Sequence, residues 1–115
     1  MSRKLDMAIA EALGRKVEFK DLGEYGTDLF YADVESSFAV VPRYHKDCNA
    51  MLELDREMQE RKYELALWHV DERYYAVYDL CGEGIEDVYD SIDREMPKTV
   101  TLAAYKALTG EEWTE

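Results

Sequence analysis

The chain has 115 residues and a formal net charge of −12 at pH 7, with 47% apolar and 35% charged residues. This is the make-up of one folded domain with one core, and it excludes a disordered chain. The acidic excess disfavours phosphate backbones and anionic membranes, and no apolar run approaches the roughly 20 residues that span a bilayer.

The start, MSRKLDMAIAEALG, is basic and then amphipathic. Asp6 and Glu11 interrupt the apolar stretch that a secretory signal needs, so the protein is expected in the cytoplasm. The two distant cysteines, Cys48 and Cys81, make no secreted disulfide framework and are expected as small, part-buried apolar residues. Leu5, Ile9, Ala12 and Leu13 recur at helical spacing, which predicts a first helix over residues 3 to 13. Ser2 is its candidate cap and Gly14 its stop.

VEF, residues 17 to 19, reads as a short strand, and 20 to 28 as a loop rich in glycine and acid. LFYADV and SFAVV read as two strands joined around Glu35 and Ser36, closed by Pro42, which has no N–H to donate. A second helix is predicted over residues 46 to 62, with Cys48, Met51, Leu54 and Met58 on one face. Either His45 or Asp47 occupies its capping region, and Glu57 with Arg61 has the favourable four-residue spacing.

The clearest pattern is YELALWHV-DE-RYYAVYDL, a hairpin over about 63 to 80. If Val70 pairs with Arg73, one face carries Tyr63, Leu65, Leu67, Ala76, Tyr78 and Leu80. The other carries Ala66, Trp68, Tyr75 and Val77. Both faces are apolar, so the hairpin is expected to be covered on both sides. The fold class is then α+β, a small mainly antiparallel sheet between helices. In the acidic stretch CGEGIEDVYDSIDREMP, residues 81 to 97, Ile85, Val88 and Ile92 have helical spacing and predict a short helix. The last helix follows Pro97, with Thr99 as candidate cap, a stripe of Val100, Ala103, Ala104, Ala107 and Leu108, and Gly110 as its end.

The order of these motifs resembles the phage ABA sandwich family of small phage and prophage proteins. LDMAIAEALG matches the family's opening helix, and PRYHKD the approach to its second helix. ELALWHVDERYYAVY matches the tryptophan-bearing hairpin, and TVTLAAYKALTG the alanine-rich last helix. His45 and Lys46 replace the usual Ser-Thr, and Arg15 stands where an aromatic residue often follows the glycine. The resemblance implies a layered α/β/α fold and a virus or prophage setting. It implies no biochemical activity.

A zinc site would use His45, Cys48, His69 and Cys81, every histidine and cysteine in the chain, and their spacing matches no familiar zinc pattern. Cys48, His45 and Asp47 name the parts of a triad. On a helix, however, Asp47 lies about 200° around from His45, so the histidine cannot sit between its two partners. Asp87, Asp90 and Asp93 lack the alternate spacing of a calcium loop. No catalytic residue, metal or cofactor is therefore assigned, and the protein is not expected to be an enzyme.

Tyr44, His45, Asp47, Glu86, Asp87, Asp90 and Asp93 are the candidate interaction residues, with Tyr25, Tyr31 and Trp113 as candidate exposed aromatics. The first functional reading is a phage-encoded accessory protein that binds an unknown host or phage protein. The alternative is an acidic decoy, centred on Asp79 to Glu95, for a host DNA-binding or defence enzyme. A homodimer through the edge of the 28 to 41 hairpin is a further expectation.

Overall fold

The computed structural model describes residues 3–32, 39–80 and 88–114. Helix α1 (Lys4–Ala12) forms where Leu5, Ile9 and Ala10 make one fully buried stripe. It ends at Gly14, whose φ is 88°. The Gly14 N–H donates to the Glu11 carbonyl and the Arg15 N–H to the Ala10 carbonyl. These paired bonds satisfy the last carbonyls of the helix, and glycine adopts the left-handed conformation without a Cβ clash. Ser2 lies outside the described residues.

Strands β1 (Val17–Asp21) and β2 (Thr27–Tyr31) pair antiparallel around a short 3₁₀ turn, Gly23–Tyr25. The expected loop is thus reduced to its middle. The Asp21 carboxylate accepts the Gly23 N–H at 2.8 Å and starts the turn, and the polar residues on either side continue as strand. On the other edge of β2, Phe30 bridges Val40. The Tyr31 N–H donates to the Ala39 carbonyl and the Val41 N–H to that of Leu29. These bonds follow the predicted pairing of LFYADV with SFAVV. The residues joining those two runs, 33 to 38, lie outside the described residues.

Helix α2 (Cys48–Glu60) is capped by Asp47, whose carboxylate accepts the Asn49 N–H at 2.8 Å. Ala50, Met51, Leu54 and Met58 face the core, and Glu57 pairs with Arg61 at 3.1 Å. Cys48 is exposed, contrary to its expected place on that stripe. The helix begins at the surface and turns into the core only from Ala50 onward. Cys81 lies outside the described residues.

The hairpin is β3 (Tyr63–Val70) and β4 (Arg73–Leu80), with Val70 opposite Arg73 as the pattern predicts. Its two-residue turn, Asp71 and Glu72, has φ values of 51° and 61°. Both residues are left-handed, which matches strand twist but strains a side-chain-bearing residue.

The chain over Val88–Asp93 is a third strand, β5, paired with β4. This corrects the helix predicted from Ile85, Val88 and Ile92; Ile85 lies outside the described residues. Strand pairing satisfies the backbone groups along the second edge of β4, and that long-range gain outweighs a weak local period.

Helix α3 (Met96–Thr109) ends at Gly110, φ 75°. Its N-cap is Glu95, not Thr99. The Thr99 hydroxyl instead donates back to the Glu95 carbonyl at 2.7 Å, one turn inside the helix.

One buried cluster joins these pieces. It contains Leu5 and Ile9 of α1, Leu29 of β2, Leu54 and Met58 of α2, Ala76 and Tyr78 of β4, and Val100, Ala103 and Ala104 of α3. The alanines let α3 approach the sheet closely. The Tyr78 hydroxyl crosses to α2 and donates to Asp55 at 2.9 Å, and that of Tyr63 reaches the Ala107 carbonyl at 3.3 Å. Burial pushes the Tyr78 hydroxyl pKa up, and the neighbouring Asp55 carboxylate adds to the shift.

The protein is therefore an α+β sandwich. The second sheet face is more open. Val77 is buried there, but Trp68, Val70 and Ile92 are 50%, 60% and 56% exposed. The row containing Trp68 is the exposed part of this face.

Replacing the strained turn, Asp71→Asn with Glu72→Gly, is expected to raise stability by about 1 kcal/mol. A higher midpoint in urea unfolding with an unchanged slope would verify this.

Candidate interaction surface

The PRYHKD segment does not present its ring residues to solvent. Tyr44 is 5% and His45 3% exposed. His45 is held from below by α1. The His45 Nδ1 lies 2.8 Å from each carboxylate oxygen of Asp6, and the His45 backbone N–H donates to Asp6 Oδ1 at 3.2 Å. Asp6 is fully buried.

Arg3, one helical turn before, donates to Asp6 Oδ2 at 2.7 Å and to Asp28 Oδ1 at 3.2 Å. It also donates to the carbonyls of Val41 and Pro42. Arg43 reaches the other Asp28 oxygen at 3.2 Å. From above, the Thr101 hydroxyl lies 2.8 Å from the Tyr44 carbonyl. A buried carboxylate is tolerated only when it is paired and hydrogen-bonded, and Asp6 meets both conditions.

This geometry assigns His45 a structural place. Its orienting acid is Asp6, a residue the sequence reading did not connect to it. A signal was present: Asp6 lies three residues before Ile9 and four before Ala10, so an acid sits beside the apolar stripe of α1. Asp47 is committed to the α2 cap, so the local trio of Asp47, His45 and Cys48 is not assembled. The His45 ring also lines a cavity of about 330 Å³ with Cys48, Tyr74 and Glu95. Among the described residues, no three or more His, Cys, Asp or Glu side chains are placed to hold one metal ion. His69 stacks on Tyr74, with centroids 4.5 Å apart and planes at 11°.

The acidic candidates are also occupied. Asp90 accepts the Tyr75 hydroxyl at 3.0 Å and Lys106 at 3.3 Å. Those two hydrogen bonds hold its carboxyl below the usual range. Asp93 pairs with Lys98 at 3.2 Å and accepts the N–H groups of Arg94 and Glu95. Burial pushes its pKa up, but those partners outweigh it and the net shift is down. In the β5 register Asp90 lies opposite Val77 and Asp93 opposite Tyr74, so the two side chains leave on opposite faces. Glu86 and Asp87 lie outside the described residues.

Of the three candidate exposed aromatics, only Tyr25 is open, at 87%. Tyr31 lies under the Arg15 guanidinium, 4.0 Å from its ring centre. Trp113 packs edge-on against Tyr105 at 5.2 Å.

The surface that remains is the second face of the three-stranded sheet. Trp68 lies opposite Tyr75, and Tyr75 opposite Ile92, so the three form one row across β3, β4 and β5. The Trp68 and Tyr75 rings are 5.5 Å apart. Val70 extends the row toward the turn. Large apolar side chains grouped on one face mark a contact surface more than scattered ones do.

No family model matches the chain, and neither the curated proteins nor the solved structures contain a match.

Two outcomes test the buried cluster. Asp6→Asn removes the charge that Arg3 and His45 share, and is expected to cost about 3 kcal/mol, measured by urea unfolding. Asp28 gives a pH test. Burial pushes its carboxyl up, but the Leu29 N–H, Arg3 and Arg43 outweigh this and the net pKa lies below the ordinary 3.8. A depressed folded value contributes stability above the unfolded pKa, and that contribution is lost as pH falls through the folded value. Asp28→Asn should therefore be less stable than wild type at neutral pH, with the two unfolding midpoints converging as pH drops below 3.8.

Proposed function

We propose that the protein is a small, non-catalytic binding protein whose contact surface is the open face of β3, β4 and β5. The observation that carries this reading is the Trp68–Tyr75–Ile92 row, where Trp68 and Ile92 keep half their surface in solvent. Aromatic residues on an exposed sheet face are suited to anchoring a partner. His45, the most reactive candidate in the sequence, is committed through Nδ1 to Asp6, which favours binding over turnover. A phage or prophage setting is part of the proposal and rests on the order of sequence motifs alone.

The acidic-decoy alternative draws on the net charge of −12. Two of its candidate carboxylates, Asp90 and Asp93, are already paired with lysines, so it ranks second.

The expected result is that wild-type protein retains specific proteins from a bacterial host extract, that Trp68→Glu loses them, and that a broad hydrolase and transferase substrate panel shows no turnover. Turnover that disappears in His45→Asn would overturn the reading. Retention that survives Trp68→Glu would move the contact away from this face.

A further inference from the structure

The sheet has a second feature on its other side, at the starts of α2 and α3. Tyr74 leaves β4 on the face opposite to Tyr75, because successive strand residues alternate. The cavity of about 330 Å³ that it shares with His45 is therefore separate from the open face. Its floor is the His45 ring, 3% exposed. Half-buried Tyr74, Met96 and Pro97 form the walls, and exposed Lys46 and Glu95 stand at the rim. One face of the Tyr74 ring is taken by His69, and the ring lines the cavity with what remains.

The two ring nitrogens of His45 are not equivalent. Nδ1 lies 2.8 Å from both Asp6 oxygens. Those oxygens already accept N–H groups from Arg3 and from the His45 backbone, so Nδ1 is the donor facing them. In a neutral imidazole, a hydrogen on Nδ1 leaves a lone pair on Nε2. Nε2 is on the ring edge away from Asp6, and among the described residues nothing hydrogen-bonds to it. An acceptor on a side chain this deeply buried is left for whatever enters the cavity.

We infer that this cavity is a binding site for a small neutral aromatic molecule carrying one N–H or O–H donor, of the indole or phenol class. The site is independent of the contact surface proposed above. Each part of the description follows from a residue. His45 Nε2 calls for the donor. Tyr74, Met96 and Pro97 offer aromatic, thioether and ring surface, which suits a flat apolar body. Lys46 and Glu95 oppose one another in sign, so the rim selects neither an anion nor a cation. A void of about 150 Å³ accepts a benzene ring, so this one has room for two fused rings. Asp6 holds the imidazole in place before anything enters, which lowers the ordering cost of binding.

The test is an NMR titration with indole, set beside indene, which has the same two-ring shape and no N–H. Wild type is expected to bind indole at roughly 1 mM and indene about tenfold more weakly. Shift changes are expected at His45, Tyr74 and Met96. His45→Asn keeps an N–H donor for Asp6 and removes Nε2, so its affinity for indole is expected to fall to that for indene. Met96→Trp fills the cavity and is expected to abolish binding of both. It leaves the Asp6 tie intact and stays informative if His45→Asn fails to fold. Trp68→Glu, which alters only the open face, is expected to bind indole as wild type does.

Equal wild-type affinity for indole and indene overturns the inference, as does binding that survives Met96→Trp. Shift changes confined to the Trp68–Ile92 row, or indole binding lost in Trp68→Glu, place the molecule on the open face and overturn it too. A wild type with no response up to about 10 mM indole does the same. None of these results touches host-protein retention, which tests the open face by itself.

Discussion

The Asp6 carboxylate is the point at which distant parts of the chain are tied. It is fully buried, so its oxygens must find their partners within the protein. Those partners are Arg3, the His45 ring and the His45 backbone N–H. Through Arg3 the same cluster reaches Asp28 at the start of β2 and the carbonyls of Val41 and Pro42. The start of α1, the Val41–His45 corner and β2 are thus set by one electrostatic arrangement. Each donor is also a constraint. Breaking such a pair leaves an uncompensated charge, whereas an apolar replacement of the whole set would not. The corner is specified by charge, and α2 leaves it in a direction that places Ala50, Met51 and Leu54 in the core.

The hairpin was legible in the sequence because two strand-like apolar and aromatic runs are separated by two polar residues, Asp71 and Glu72. The Val70–Arg73 pairing followed from counting. The stop at Gly14, the capping region at His45 or Asp47 and the alanine stripe of α3 were legible for the same reason: each is a local rule with a local cause. What was not legible depends on distance in the chain. Val88–Asp93 is a strand because β4 has an edge to offer, which no window around Ile92 reveals. Cys48 shares its helix face with Met51 but not its depth, because depth depends on what else covers the helix start. His45 read as a reactive ring beside a thiol because its partner, Asp6, lies 39 residues away. An acid on an apolar stripe was the one local hint of it.

The two faces of the central sheet have different chemistry although their sequences look alike. Tyr78 and Ala76 meet α2 and α3 in the core. On the reverse, among the residues whose burial is described, Val77 alone is buried to a similar degree. Apolar content alone therefore says that a surface avoids water, not whether another part of the same chain covers it.

The tie between Asp6 and His45 has a consequence for how the protein is made. The Thr101–Tyr44 bond closes a still larger loop of 57 residues. During synthesis α1 emerges before its long-range partners: its acid has Arg3 beside it but lacks the His45 ring and backbone N–H until that corner is made, and its apolar stripe lacks complete cover until α3 is made. For most of synthesis the first helix is an unfinished surface. A chain cut short before Thr101 would lack Ala103, Ala104 and Ala107 of α3 and so expose the part of the buried cluster that they cover.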